Sequence, residues 1–266
     1  MIFYLGTHRP DWLWKHDHNI NWFVSNRTLS KRKNLLPAIN EWALDSGGFS
    51  EIRLLGRWET TPKEYVAAVK RYKNEIGKLK WAAIQDWMCE DIMLKITGKT
   101  IKDHQRLTTM SYLTLRDLAP EINWLPVLQG FELDDYLNHI DQYLKNDVDV
   151  TTLKAVGVGS ICRRQATLAA QNILLSLSIT GVKIHGFGLK ITALKNQQVC
   201  RSIISADSLA WSFTARKLPP LYGHEVKHKN CANCFDFALL WLNKIRKIIE
   251  NSMRPMTLDE WLIKST

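Results

Sequence analysis

No stretch of the chain approaches the run of roughly 20 apolar residues that a membrane-spanning helix needs, so no membrane partner is expected. The N-terminus, Met1-Ile-Phe-Tyr-Leu5, opens directly on a strand-like run, with neither a basic leader region nor a cleavage site. No signal peptide is read from it, and a cytoplasmic location is expected. Low-complexity segments, internal repeats and Pro/Gly/Ser linkers are also missing, which argues against an array of modules. Cysteine is scarce and odd in number, 5 in 266 residues, so the chain is not a disulfide framework. Cys89, Cys162 and Cys200 are scattered, and only Cys231 and Cys234 form a CxxC pair. Acidic residues are the scarcer sign: 26 Asp plus Glu face 36 Lys plus Arg, for a net charge of +10. An enzyme of small metabolites has little use for that excess, whereas a nucleic-acid substrate explains it. A basic but passive surface is the ordinary alternative.

What is present is a set of short apolar runs. Eight candidate strands fall near residues 2–6, 21–25, 42–45, 81–86, 124–128, 153–158, 182–187 and 203–207. Several are continuous apolar stretches, as expected of strands buried on both faces. Helical patterns lie between many of them. Thr61-Pro62-Lys63-Glu64 reads as a capping box and opens a helix with Tyr65, Val69, Tyr72 and Ile76 on one face. Leu133, Tyr136, Leu137, Ile140 and Leu144 predict a second stripe, and residues 164–179 a helix ended by Gly181. Eight strands alternating with helices point to an α/β protein, a (β/α)8 TIM barrel, with a doubly wound open sheet as the alternative. The whole of 1–266 reads as one barrel domain: 1–214 is the barrel core, and 215–266 a small zinc-binding appendage with C-terminal helices. That tail is expected to carry a long amphipathic helix from about Phe235 to Asn251 and a short one capped by Thr257-Leu258-Asp259-Glu260. Most of the 11 tryptophans are expected in the core.

Asp45, Asp86, Gln129 and Asp207 each end an apolar run. On parallel strands four such tips meet on one face, the face where a TIM barrel places catalysis. In Asp45-Ser46-Gly47-Gly48-Phe49 two glycines let the backbone turn sharply beside a carboxylate; alone, this is equally a plain turn. With the other motifs in order, the chain resembles the queuine/archaeosine tRNA-guanine transglycosylase superfamily, whose (β/α)8 barrel carries DSGG-F/Y at this place. Asp86 falls where that family has an aspartate reading the guanine edge. Gln129-Gly130 matches its VQGG-type strand end, and Gly157-Val158-Gly159-Ser160 its glycine-rich base-contacting strand. Asp207-Ser208, followed by Thr214-Ala215-Arg216, resembles its nucleophile segment. The chain is shorter than the tRNA enzymes, and no added RNA-binding domain is read in it. Phe49-Ser50 replaces an aromatic-Gln pair, and Cys162-Arg163-Arg164 replaces an acidic loop. These departures resemble the DNA-directed branch, the deazapurine DNA modification proteins (DpdA type) of phages and bacterial modification islands; a phage protein would work in the host cytoplasm.

The resemblance implies exchange of guanine in DNA for a free 7-deazaguanine such as 7-cyano-7-deazaguanine. Asp207 would be the nucleophile and Asp45 the general acid/base. Asp86, Gln129, Gly157, Val158 and Gly159 would read the base, and Arg163, Arg164, Lys190 and Arg216 are candidates for backbone phosphates. A tRNA-guanine transglycosylase, a non-catalytic nucleic-acid-binding homologue and a zinc hydrolase are the other classes. His224, His228, Cys231 and Cys234, spaced H-x3-H-x2-C-x2-C, suit tetrahedral structural zinc. Two buried free thiols beside surface histidines are the alternative. A homodimer is left open. His185 reads as a core histidine, and Lys31-Arg32-Lys33 as exposed surface.

Overall fold

The computed structural model describes residues 1–162, 164 and 167–254. Arg163 and the expected C-terminal cap at Thr257–Glu260 lie outside the described residues. The apolar runs become nine short strands: β1 (Ile2–Thr7), β2 (Asn21–Ser25), β3 (Trp42–Asp45), β4 (Leu79–Ala83), β5 (Trp124–Leu125), β6 (Val127–Leu128), β7 (Val156–Val158), β8 (Ile184–Gly186) and β9 (Ile203–Ser208). Every pairing is parallel, in the order β5-β4-β3-β2-β1-β9-β8-β7-β6. The two ends of that order, β5 and β6, are consecutive in the chain and separated only by Pro126. Proline has no N–H to give a ladder, but its carbonyl accepts from Gly157 N at 2.8 Å. The run expected near 124–128 therefore pairs with β4 on one side and β7 on the other and closes the barrel. The fold is the TIM-like α/β barrel expected, with its fifth strand broken by a proline.

Strand alternation divides the side chains between two layers. Tyr4, Phe23, Ala43, Trp81, Ala83 and Leu125 pack together inside the barrel, with Phe187 against them. Their neighbours Phe3, Leu5, Trp22, Val24, Trp42 and Leu44 join the larger core under the helices. The interior is thus an aromatic plug, and the barrel is not a pore. Trp22, Trp42 and Trp211 are among the largest fully buried side chains.

The helix Pro62–Glu75 starts at the expected capping box, with Thr61 N donating to Glu64 Oε2 at 2.8 Å. Tyr65, Val69, Tyr72 and Ile76 are all buried. The helix Leu133–Leu144 departs from expectation. Tyr136, His139 and Tyr143 face inward, and Leu144 is 57% exposed. Polar tips won these places because each finds a partner: Tyr143 Oη donates to the Val127 carbonyl at 3.2 Å, and His139 Nδ1 accepts from Gln129 N at 2.9 Å. The helix expected from 164 begins at Leu168, where the Thr167 hydroxyl caps it by accepting from Ala170 N at 3.3 Å. The long tail helix spans Phe235–Met253 and packs Trp241 against Phe3 of β1, ring centroids 5.9 Å apart. No helix among the described residues is long and apolar enough to cross a membrane.

Candidate functional site

A cavity of about 530 Å³ opens at the C-terminal ends of the strands. Asp45, Asp86, Gln129, Gly159 and Asp207 all line it, brought together from β3, β4, β6, β7 and β9 or the residues that follow them. Phe23 and Phe187, the top of the aromatic plug, line it as well.

Asp45 is the last residue of β3 and sits in register with Ser25 of β2. The Ser25 hydroxyl and the Gly47 N–H both hydrogen-bond its carboxylate. Gly47 makes this turn at φ 87, a left-handed conformation that favours glycine. The next residue, Gly48, has room for no more than a hydrogen, since a Cβ there would lie 2.5 Å from the Trp58 ring. Burial, and after it the negative charge of Asp207, raise the Asp45 pKa above the ordinary carboxylate range, with the two hydrogen bonds opposing.

Asp207 lies in β9 opposite Tyr4 of β1. Its Oδ1 accepts from Gly188 N at 3.0 Å. Beneath it, inside the barrel, is the fully buried His185, enclosed by Tyr4, Phe23, Trp81 and Phe187. His185 Nδ1 is 2.9 Å from Ser205 Oγ. Its Nε2 lies 3.3 Å from Asp207 Oδ1, close but without the alignment of a full hydrogen bond.

Asp86 follows β4 and faces Gln129, whose Nε2 donates to Asp86 Oδ2 at 2.5 Å. Burial pushes the Asp86 pKa up to about 7, helped by the charges of Asp45 and Glu90 and opposed by the Gln129 bond. Gln129 is itself clamped. Ser160 Oγ lies 2.6 Å from its Oε1, and Gln105 Nε2 donates to its carbonyl at 2.8 Å. Burial drives the His139 pKa down to about 3, so its ring is neutral and Nδ1 can accept from Gln129 N. Ser160 also reaches Glu90 Oε2 at 3.1 Å and accepts from Cys89 N at 2.8 Å. One amide hydrogen of Gln129 thus goes to Asp86, and a ligand's keto oxygen can use the other.

The remaining expected residues divide. Gly157 and Val158 do not line the cavity. Gly157 packs against Phe187, where a Cβ would lie 2.4 Å from the ring, and Val158 belongs to the core outside the barrel. Lys190 and Arg216 line a groove beside the cavity. Arg164 lies over the Phe131 ring at 4.0 Å, donates to the Phe131 carbonyl and is absent from the cavity wall. Lys31, read as plain surface, is exposed at the cavity wall with Arg27 and Thr28. Sequence reasoning passed over Ser25 and Glu90, and named Ser160 only as the last residue of the glycine-rich motif. Ser25 ends β2 as Asp45 ends β3, and that tip position was a usable signal; Glu90 had none.

His224, His228, Cys231 and Cys234 place one ligand atom each within 4.8 Å of one another. His228 Nε2 is 3.2 Å from Cys231 Sγ, and His224 Nδ1 is 3.5 Å from Cys234 Sγ. The outer nitrogen of His224 lies 3.5 Å from Asp236 Oδ2, the carboxylate partner that commonly orients a metal-binding imidazole. The cluster could hold a metal ion, and two thiols with two imidazoles suit a tetrahedral one. It also braces the barrel: Ser212 Oγ donates to the Ala232 carbonyl at 2.7 Å, and Ala215 packs with Cys231 and Cys234.

The family DpdA, described as DeoxyPurine in DNA protein A, matches residues 1–264. The chain belongs to this family. At the family level, membership supports DNA modification by a transglycosylase, a glycosyltransferase-type enzyme with DNA as substrate. It agrees with the resemblance carried by Asp45, Asp86, Gln129 and Asp207. No curated protein matches the chain.

Proposed function

We propose that this DpdA-family protein exchanges guanine in DNA for a free 7-deazaguanine, such as 7-cyano-7-deazaguanine, by double displacement at C1′. In the first step an Asp207 carboxylate oxygen bonds to C1′ as the C1′–N9 bond breaks, and Asp45 gives its proton to the departing guanine. In the second step Asp45, now a carboxylate, takes the proton from N9 of the incoming base. That nitrogen then bonds to C1′ and expels the Asp207 carboxylate. Two inversions retain configuration. Asp86 accepts from the ring N–H and exocyclic amine of the base, and Gln129 donates to the keto oxygen. The target nucleotide enters unstacked, flipped from a duplex or already single-stranded.

The observation that supports this reading best is the pairing of Asp45 and Asp207 across one cavity. Burial and the neighbouring charge raise the Asp45 pKa and so favour its protonated form, while Gly188 N–H donates to Asp207 from behind and His185 Nε2 lies 3.3 Å from the same oxygen. Two carboxyl groups with different surroundings are what a displacement with acid assistance requires. The ion at His224, His228, Cys231 and Cys234 we propose to be structural zinc, since all four ligand positions are filled by the protein and none is left open for substrate.

The test offers labelled guanine or labelled 7-deazaguanine with duplex DNA, single-stranded DNA and tRNA in parallel. Nucleoside mass spectrometry follows the label. Incorporation into DNA with little into tRNA is expected. Labelling of tRNA alone would overturn the choice of DNA, and no labelling of any polymer would overturn base exchange itself.

A further inference from the structure

The cavity does not end at its own rim. A second groove, of about 510 Å³, shares the wall formed by His8, Phe49 and Leu209 and runs outward over Lys190, Phe213 and Arg216. Phe213 is 60% exposed. Its outward position is enforced by the residues on either side of it. Trp211 is fully buried and donates from Nε1 to the Gly6 carbonyl at 2.8 Å. Ser212 is tied to the Ala232 carbonyl of the His/Cys segment at 2.7 Å. Lys217 Nζ lies 4.4 Å from the Phe213 ring centroid. An exposed aromatic ring on an anchored stretch of backbone, with Lys217 against it, Lys190 and Arg216 lining the same groove and an opening into the cavity, combines the two elements of a single-strand binding surface.

We propose that this groove is a nucleotide subsite in which Phe213 stacks the base next to the extruded guanine while Arg216, Lys190 and Lys217 hold the linking phosphates. The inference rests on the reading of the cavity as the guanine site. A base held in the cavity remains joined to the strand through its phosphates, so the adjacent nucleotide must lie along the rim. Charge favours a polynucleotide over a protein segment, because the aromatic surface is bordered by Lys and Arg. Stacking of this kind accepts any base, so the subsite contributes affinity and register rather than a sequence preference.

The experiment uses the full chain and single-stranded oligonucleotides with one guanine, flanked on the side under test by adenine or by an abasic residue. The wild-type protein should show a KM about 10-fold lower with the adenine flank, within the range that stacking supplies. F213A should lose that discrimination, while F213W keeps it and the KM for the free base stays within about twofold of wild type. R216Q should flatten the salt dependence of DNA binding by about 0.7 in log–log slope, the share of one single-strand phosphate. A wild-type protein that exchanges guanine in DNA with equal KM for both flanks overturns the subsite alone, as does an F213A variant that still discriminates. A wild-type protein that exchanges no guanine in any oligonucleotide overturns the subsite together with the reading on which it rests.

Discussion

Replacing Asp86 by asparagine should separate what this residue does for recognition from what it costs the fold. The side chain is half-buried at the cavity wall, and its pKa is raised from 3.8 to about 7, chiefly by desolvation. The folded protein therefore keeps the proton until about pH 7, while the unfolded chain releases it near 3.8. Stability contributed by that proton is complete below pH 3.8, is lost as pH rises to about 7, and changes no further above. At about 1.4 kcal/mol per pH unit, the interval corresponds to about 4 kcal/mol. The asparagine side chain has the same shape, can accept the bond from Gln129 Nε2 and does not titrate. Urea denaturation of D86N and wild type from pH 4 to 9 should show the variant gaining on wild type as pH rises. The difference should grow by about 4 kcal/mol up to pH 7 and then stay level. Binding should move the other way. A carboxylate can accept both donors of the guanine edge, whereas an amide offers one acceptor and a donor that opposes the base. The kcat/KM of D86N should fall about 1,000-fold or more, as expected when a site built for hydrogen bonds is mismatched. Wild-type affinity for the free base should weaken as pH drops below about 7, because the protonated carboxyl loses an acceptor. A stability difference that stays flat with pH, or shrinks as pH rises, would refute the argument from burial. Unimpaired exchange by D86N would refute its role at the base.

Asp207→Asn should abolish exchange and the protein–DNA adduct seen on denaturing gels while leaving the circular dichroism spectrum unchanged; exchange near the wild-type rate would remove Asp207 from the mechanism. Metal analysis should find about one zinc per chain, lost when Cys231 and Cys234 are both changed to serine. That variant should also melt at a lower temperature, since structural zinc adds folding free energy; protein that purifies without metal and with full activity counts against the centre. His185 Nε2 lies 3.3 Å from Asp207 Oδ1, so a positioning role predicts that H185F lowers kcat about 100-fold, the scale of a misplaced reacting group, while the KM for the free base holds. H185Q, which keeps a donor beneath the carboxylate, should recover much of the loss, and equal kcat for H185F and wild type would make His185 mere packing.

The strand-tip polar residues were legible because a strand buried on both faces reads as an unbroken apolar run, so its polar end stands out. That contrast located Asp45, Asp86, Gln129 and Asp207 before any pairing was known, and all four line one cavity. The same contrast fails where a polar group is buried and satisfied. His139 and Tyr143 displaced Leu144 from the inner face of their helix because their partners lie on β6 and just beyond it, contacts that periodicity along one helix does not register. Inside the barrel, alternation tells which neighbours share a face but not which face is enclosed. Gly157 therefore read as a contact for the base although it packs under Phe187, and His185 read as ordinary core although it lies against Asp207. The network that fixes Gln129 was beyond a linear reading, since Ser160 bonds Cys89 N across 71 residues.

The relation between the two motif groups follows from the same distances. In sequence the stretch 215–266 reads as an appendage to the barrel, since the strand–helix pattern changes after Asp207 and a basic, His-rich stretch with the CxxC follows. In three dimensions its His/Cys segment grips the helix Ala210–Ala215 through Ser212 and Ala215, and that helix begins directly after β9 and Asp207. Trp211, on the same helix, ties it to Gly6 of β1 at 2.8 Å. A metal bound there would stiffen the segment that leaves β9, the strand of Asp207, and carries Phe213 and Arg216 outward. Loss of the ion should therefore disturb two functions at once, the placing of Asp207 and the groove that receives the neighbouring nucleotide. A centre that only held the tail together would leave both untouched. Exchange measured on the metal-free protein with adenine and abasic flanks separates these cases: coupled loss of rate and of flank discrimination is the expected result, and retention of both at a temperature where the protein stays folded would confine the metal to the tail.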